Sequence, residues 1–246
     1  MARHIGIVGV SPVGAALCYR QVYRHAGMLL EPHLQPTVSV YNLPFADYLE
    51  AIRRDDWRGV GSLLRDSAIK LAGVGAEFCF TPDNAVQHAV QLAEVGCPIP
   101  WLKMTDAVGE AIARDGRRTV GVIGTRIVTG GSVYQTDLGM RGIKLVRPDE
   151  ADTHLLESII FDELVYGTVL ATSRQTMLDI VGRLAGRGCE GVILGCSEAP
   201  LVITPEESPL PVYNAAEIMA EQAVRHAKAA TNPPASGVAG GAQPAG

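Results

Sequence analysis

The chain repeats itself, and the repeat constrains it to a parallel α/β fold. Lys70-Leu71-Ala72-Gly73-Val74-Gly75-Ala76-Glu77 leads into the apolar Phe78-Cys79-Phe80 and reaches Asp83. Arg183-Leu184-Ala185-Gly186-Arg187-Gly188-Cys189-Glu190 leads into Val192-Ile193-Leu194 and reaches Cys196, at a constant offset of 113 positions. Each copy has the pattern of a helix end, a glycine turn, a short buried strand and a polar residue at the strand's C-terminal tip. A second pair agrees: Ile5-Gly6-Ile7-Val8-Gly9 and Val120-Gly121-Val122-Ile123-Gly124 are offset by 115. The two offsets differ by no more than one loop's drift. Ligands of open α/β sheets bind beyond the C-terminal ends of the strands. Two such tips facing each other would bring Asp83 and Cys196 to one substrate.

Short apolar runs alternate with longer helical patterns, as βαβ units do. The spacing predicts strands at 5–10, 38–41, 78–81, 119–123, 144–146, 192–194 and 212–214. It predicts helices at 15–30, 57–73, 84–95, 105–115, within 149–167, and at 174–185 and 216–229. Ser11-Pro12-Val13-Gly14 reads as a turn, and Cys97 to Pro100 as a loop with a short strand. The expected fold is two pseudo-symmetric three-layer α/β domains with mostly parallel sheets and the active site in the cleft between them. The first would hold residues 1–104 plus 212–229, and the second 105–211. Residues 230–246, rich in Ala, Gly and Pro, read as a disordered tail.

Several function classes are disfavoured. With 21 basic against 26 acidic residues and no basic cluster, nucleic acid is not an expected partner. No apolar run approaches the ~20 residues of a membrane helix. The start passes directly into a strand, leaving no room for a signal peptide, so a cytoplasmic location is expected. Five cysteines without a Cys-x-x-Cys pair suggest neither a disulfide framework nor a zinc site, and no metal is expected. No dinucleotide or phosphate-loop fingerprint occurs, and none of the four lysines sits at a strand tip, so no cofactor is implied.

Gly195-Cys196-Ser197-Glu198-Ala199-Pro200, after an apolar strand, resembles the Cys-containing signature of the aspartate/glutamate racemase superfamily. Pro82-Asp83-Asn84, Gly124-Thr125 and Ile160-Phe161-Asp162-Glu163-Leu164 extend the resemblance over nearly the whole chain. It implies two similar α/β domains, cofactor-free chemistry, a small carboxylate or amino-acid substrate, and a homodimer. In the usual members, cysteines from the two halves flank the substrate's α-carbon. Here the first cysteine position is Asp83, with Asn84-Ala85 after it, and the histidine common four residues later is Gln87.

The candidate catalytic pair is therefore Cys196 and Asp83, with Ser11, Asn84, Ala85, Thr125, Tyr134, Ser197 and Glu198 as candidate substrate-binding residues. A thiol pKa near 8.5 can be lowered by a helix N-terminus, whereas a carboxyl near 4 becomes a useful base when burial raises it. Each feature also has a plainer reading. Asp83-Asn84 could cap the next helix, Gly130-Gly131 with Tyr134 could be a connector, and Phe161-Asp162-Glu163 a solvated face. His88 reads as a helix-surface residue. Three functions compete: a racemase-type isomerase, a single-cysteine lyase or hydrolase on the same fold, and a non-catalytic carboxylate-binding protein.

Overall fold

The computed structural model describes residues 2–130 and 133–229. Gly131, half of the expected connector, and the expected tail at 230–246 lie outside the described residues. The first unit runs β1 (Ile5–Gly9), α1 (Pro12–Leu29), β2 (Val38–Asn42), α2 (Phe45–Arg53), α3 (Trp57–Gly73), β3 (Phe78–Phe80), α4 (Gln87–Glu94) and α5 (Met104–Arg114). The second runs β4 (Thr119–Ile123), α6 (Arg126–Gly130), α7 (Gln135–Met140), β5 (Lys144–Val146), α8 (Glu150–Asp162) and α9 (Ala171–Gly186), then β6 (Gly191–Leu194), β7 (Val212–Asn214) and α10 (Ala215–Ala229).

Two parallel sheets result, ordered β2-β1-β3 and β5-β4-β6-β7. The duplication is visible in their register. Ile5 pairs with Phe78 in one sheet and Val120 with Gly191 in the other, which reproduces the offsets of the sequence repeat. Trp101 bridges Cys79 in parallel, in the place that β7 takes beside β6. The second glycine of each repeat has a local cause: Gly75 and Gly188 adopt φ of +95° and +85° directly after α3 and α9. Glycine takes that left-handed conformation without the Cβ clash that other residues meet.

Strand side chains alternate faces, and here both faces are buried, as in parallel sheets covered by helices. Ile5, Ile7, Phe78 and Phe80 of the first sheet share one core with Val120, Val122 and Ile193 of the second, through α1, α5 and α10. On the far side of the first sheet, Val8, Val10 and Cys79 pack under α3 and α4. On the far side of the second, Ile123, Val192 and Leu194 pack under α8 and α9. The strand tips of both sheets open beside this shared helical layer.

Several expectations require correction. β7 hydrogen-bonds to β6 of the second sheet, so residues 212–214 do not sit with the first. Only α10 returns, against α1 and α5. Ser11 to Gly14 is the first turn of α1: Ser11 is its N-cap, accepting from the Gly14 N–H at 3.3 Å, and Pro12 supplies the fixed φ favoured at that end. α4 starts at Gln87, behind Val86, and no side chain caps it. Capping by Asp83-Asn84 therefore does not occur. α2 was not expected at all. Among the described residues, no helix is long and apolar enough to cross a membrane.

Candidate active site

β3 and β6 end in the same cavity. Its polar floor is built from the loops after the strands: Ser11 after β1, Asp83 and Ala85 after β3, Thr125 after β4, and Cys196, Ser197 and Glu198 after β6. About 520 Å³ of space not filled by atoms lies within it, counting the part open to solvent. Asp83 and Cys196 thus meet over one chamber, as the twofold pattern requires. They are close enough that the Asp83 charge bears on the ionisation of Cys196.

Asp83 is partly buried at the wall. Its Oδ1 accepts from the Ala85 N–H at 3.1 Å, closing a local turn, and the Ser11 N–H also donates to the carboxylate. Gln87 pins the backbone beneath, donating to the Thr81 and Asp83 carbonyls at 3.3 and 3.0 Å. Burial, reinforced by the Glu198 carboxylate, pushes the Asp83 pKa up to about 7 against these amide donors. An aspartate so placed is a usable base at neutral pH.

Cys196 is only 7% exposed. Burial, the negative charge of Glu198 and the hydrogen bond to it push the thiol well above its ordinary range. This overturns the expectation of a helix-activated thiolate. Beyond Cys196 the chain makes a single 3₁₀ turn at Ala199–Leu201, not an α-helix. The resting sulfur is a protonated acid.

Glu198 is the hub of the floor. It is 2% exposed and accepts from Cys196 Sγ at 3.1 Å, from Ser197 Oγ at 3.0 Å, and from Ser11 Oγ across the two units. A buried carboxylate needs such donors, since no cation is among the described residues of the cavity wall. Close packing holds the loops together. A Cβ on Gly14 would fall 2.3 Å from Ser197 Oγ and 3.0 Å from Glu198 Oε1. A Cβ on Gly124 would fall 2.8 Å from the Gly195 carbonyl, and the Gly195 N–H donates to the Ile123 carbonyl at 2.8 Å.

Two expected binding residues stand differently. Tyr134 is fully buried in the shared core and does not line the cavity. Its hydroxyl donates to Asn84 Oδ1 and so fixes that side chain. Asn84 itself sits behind Asp83, 1% exposed. Among the expected binding residues, the Asn84 amide nitrogen and the Thr125 hydroxyl are buried donors with no partner among the described residues. Phe161 lines the cavity, whereas Asp162 and Glu163 are taken by Ser158 and Ser173. His88 lies on the helix surface, edge-on to the Trp57 ring at 5.5 Å.

The upper wall was missed from sequence. α2 contributes Phe45, Leu49 and Ile52, and the second unit contributes Ile127, Phe161 and Val165. The first three recur at helical spacing directly after Pro44, a signal that could have revealed α2.

Residues 7–223 match the profile of the Asp/Glu/Hydantoin racemase family. The chain belongs to that family. An aspartate racemase homologue from Pyrococcus horikoshii superposes with a TM-score of 0.79 at 26% identity, over 92% of this chain and 99% of that one. A candidate Asp/Glu racemase from Yersinia pestis gives 0.81 at 27% identity, over the same shares of each chain. An arylmalonate decarboxylase variant shares the fold at a TM-score of 0.56 and 15% identity, over 92% of this chain and 93% of that one. The two-unit α/β architecture is thus the racemase-family architecture, and in this chain Asp83 holds the first strand-tip position.

Proposed function

We propose that this racemase-family protein is a cofactor-independent isomerase that moves a proton at the α-carbon of a small carboxylate or amino acid. One observation carries the reading: a carboxylate with a pKa near 7 and a protonated thiol border the same chamber from the tips of symmetry-related strands. Inversion needs a base on one face of the carbon and an acid on the other, in opposite protonation states. Asp83 and Cys196 supply that pair at neutral pH.

An Asp83 oxygen takes the α-proton as the C–H bond breaks, and the electron pair moves into the adjacent carboxylate as an enediolate. The Cys196 S–H bond then breaks and its proton forms the new C–H bond on the opposite face. The products are a protonated Asp83, a Cys196 thiolate and the mirror-image substrate. Charge on Glu198 raises the thiolate's energy, which favours delivery of that proton and its later recovery from solvent. The substrate carboxylate and its enediolate take a hydrogen bond from Thr125, a donor at the cavity floor that lacks a partner among the described residues.

A second reading is favoured by the protonated state of Cys196 alone: a lyase in which a C–CO₂⁻ bond breaks, CO₂ leaves, and the thiol protonates the remaining enediolate. A hydrolase is disfavoured, because nucleophilic attack needs a thiolate and no histidine is among the described residues that line the cavity. Incubation with a panel of amino and hydroxy acids in heavy water separates the cases. Isomerisation replaces the α-proton by deuterium and inverts handedness, while the lyase releases CO₂. Unchanged turnover in both Cys196→Ser and Asp83→Asn would sink the proton-transfer reading.

A further inference from the structure

The cavity lining has two chemically distinct parts. All its polar groups lie on the strand-tip floor, and no Lys, Arg or His is among the described residues that line it. The helices contribute an apolar part of the lining: Phe45, Leu49 and Ile52 from one face of α2, and Ile127, Phe161 and Val165 from the second unit. These six are neither exposed nor fully buried. Each keeps part of an apolar side chain open toward the chamber, an arrangement that is unfavourable in water unless an apolar group covers it.

We propose that this site takes a carbon acid with a single acidic head and an apolar substituent, branched alkyl or aryl, in place of a dicarboxylic amino acid. The proposal rests on the proton-transfer reading above. The head, a carboxylate, lies over Asp83 and Cys196 within reach of Thr125. The substituent then lies against α2 and Phe161. A second carboxylate on the substrate would instead be desolvated among apolar side chains, in a lining whose charged residues are Asp83 and Glu198 and which holds no cation among the described residues. Burial of an apolar substituent against the same wall gains hydrophobic free energy with no such cost.

The experiment tracks loss of the α-proton signal in heavy water, above the uncatalysed rate, for leucine, phenylalanine, aspartate and glutamate at equal concentration with the full chain. The expected result is at least tenfold faster exchange of one or more apolar-substituted probes than of aspartate and glutamate. Leu49→Arg, which places a cation on the wall, should reduce that ratio at least fivefold, and Phe161→Ala should reduce it by weakening the apolar arm alone. Aspartate or glutamate exchanging as fast as the apolar probes overturns the proposal. So does an unchanged ratio in Leu49→Arg accompanied by a shift in oligomeric state, which would mean that a second copy covers the wall. If no probe exchanges at all, the proton-transfer reading fails, and calorimetric binding of the same probes decides the pocket separately. Tighter binding of phenylalanine than of aspartate supports the apolar arm, and the reverse order overturns it.

Discussion

Cys196 donates a 3.1 Å hydrogen bond to Glu198, a carboxylate that is 2% exposed and shared with the hydroxyls of Ser11 and Ser197. The contact sets the acid of the site beside a carboxylate whose charge adds to burial, the larger cause, in holding the sulfur protonated. Ser11 belongs to the first unit and the other three residues to the second, so the same carboxylate also ties the two halves of the floor together.

Glu198→Gln removes the charge and keeps the shape. The thiol should then ionise at lower pH, by on the order of one unit, since a like charge within hydrogen-bonding distance disfavours the thiolate. Alkylation of Cys196 by iodoacetamide across pH, read by mass spectrometry on its own peptide, measures this. A midpoint that stays or rises would show that burial alone holds the thiol protonated. α-Proton exchange should fall by about tenfold or more, because one face of the glutamine amide is an NH₂ that cannot accept the bonds which Cys196, Ser197 and Ser11 donate to the two carboxylate oxygens, and the sulfur is no longer held in place.

Asp83 predicts a pH dependence of both activity and stability. Its carboxyl must be ionised to act as a base, so exchange should rise with pH through a midpoint near 7. The stability effect has the opposite sign. Because the folded pKa lies above the unfolded value of about 3.9, the group's contribution is present in full below pH 4 and is lost as pH rises through 7. Asp83→Asn should therefore gain on the wild type between pH 4 and pH 8, by up to about 4 kcal/mol, while losing exchange. Urea unfolding of both proteins at three pH values tests the sign, and a gap that does not change with pH would rule it out.

The repeat that placed Asp83 opposite Cys196 is legible because parallel strands at the centre of two sheets need unbroken apolar runs and glycine turns at fixed positions. Gly75 and Gly188 coincide for that reason. α3, β4, β5 and β7 carry the bounds expected from periodicity. The resting chemistry was not legible. Whether a strand-tip thiol is lowered or raised depends on what packs over it, and here a 3₁₀ turn and a buried glutamate replace the anticipated helix N-terminus. α2 was hidden by its brevity, because nine residues after a proline offer little more than two turns of periodicity. Tyr134 looked like a ligand group because of where it falls in the sequence, but its side chain turns into the shared core.

Gly14→Ala tests the packing of the floor. The added Cβ would stand 2.3 Å from Ser197 Oγ and 3.0 Å from Glu198 Oε1, so Ser197 must rotate away and Glu198 must shift. A stability loss of about 1–3 kcal/mol is expected from overpacking, with exchange reduced at least tenfold through displaced catalytic geometry. Gly27→Ala in the same helix is the control. Nothing lies within 4 Å of its Cβ, so it should stabilise by about 0.5–1 kcal/mol and leave exchange unchanged. Equal effects of the two changes would mean that Gly14 matters only for helix propensity.

Thr125 offers the sharpest separation of binding from stability. Its hydroxyl is buried at the cavity floor and has no partner among the described residues, so the free protein bears the cost of desolvating it. Thr125→Val keeps the shape and removes that cost, and should leave the free protein as stable or up to about 1 kcal/mol more stable. The same change deletes a donor to the substrate carboxylate and to the enediolate, so kcat/KM should fall by about tenfold to a hundredfold. Thr125→Ser restores the hydroxyl and should recover most of the rate while losing the methyl packing. A residue that served only the fold would show the reverse pattern, with Thr125→Val destabilised and kinetically silent. Thermal unfolding and α-proton exchange on the three proteins distinguish the two, because only a donor reserved for the ligand lets stability rise as turnover falls.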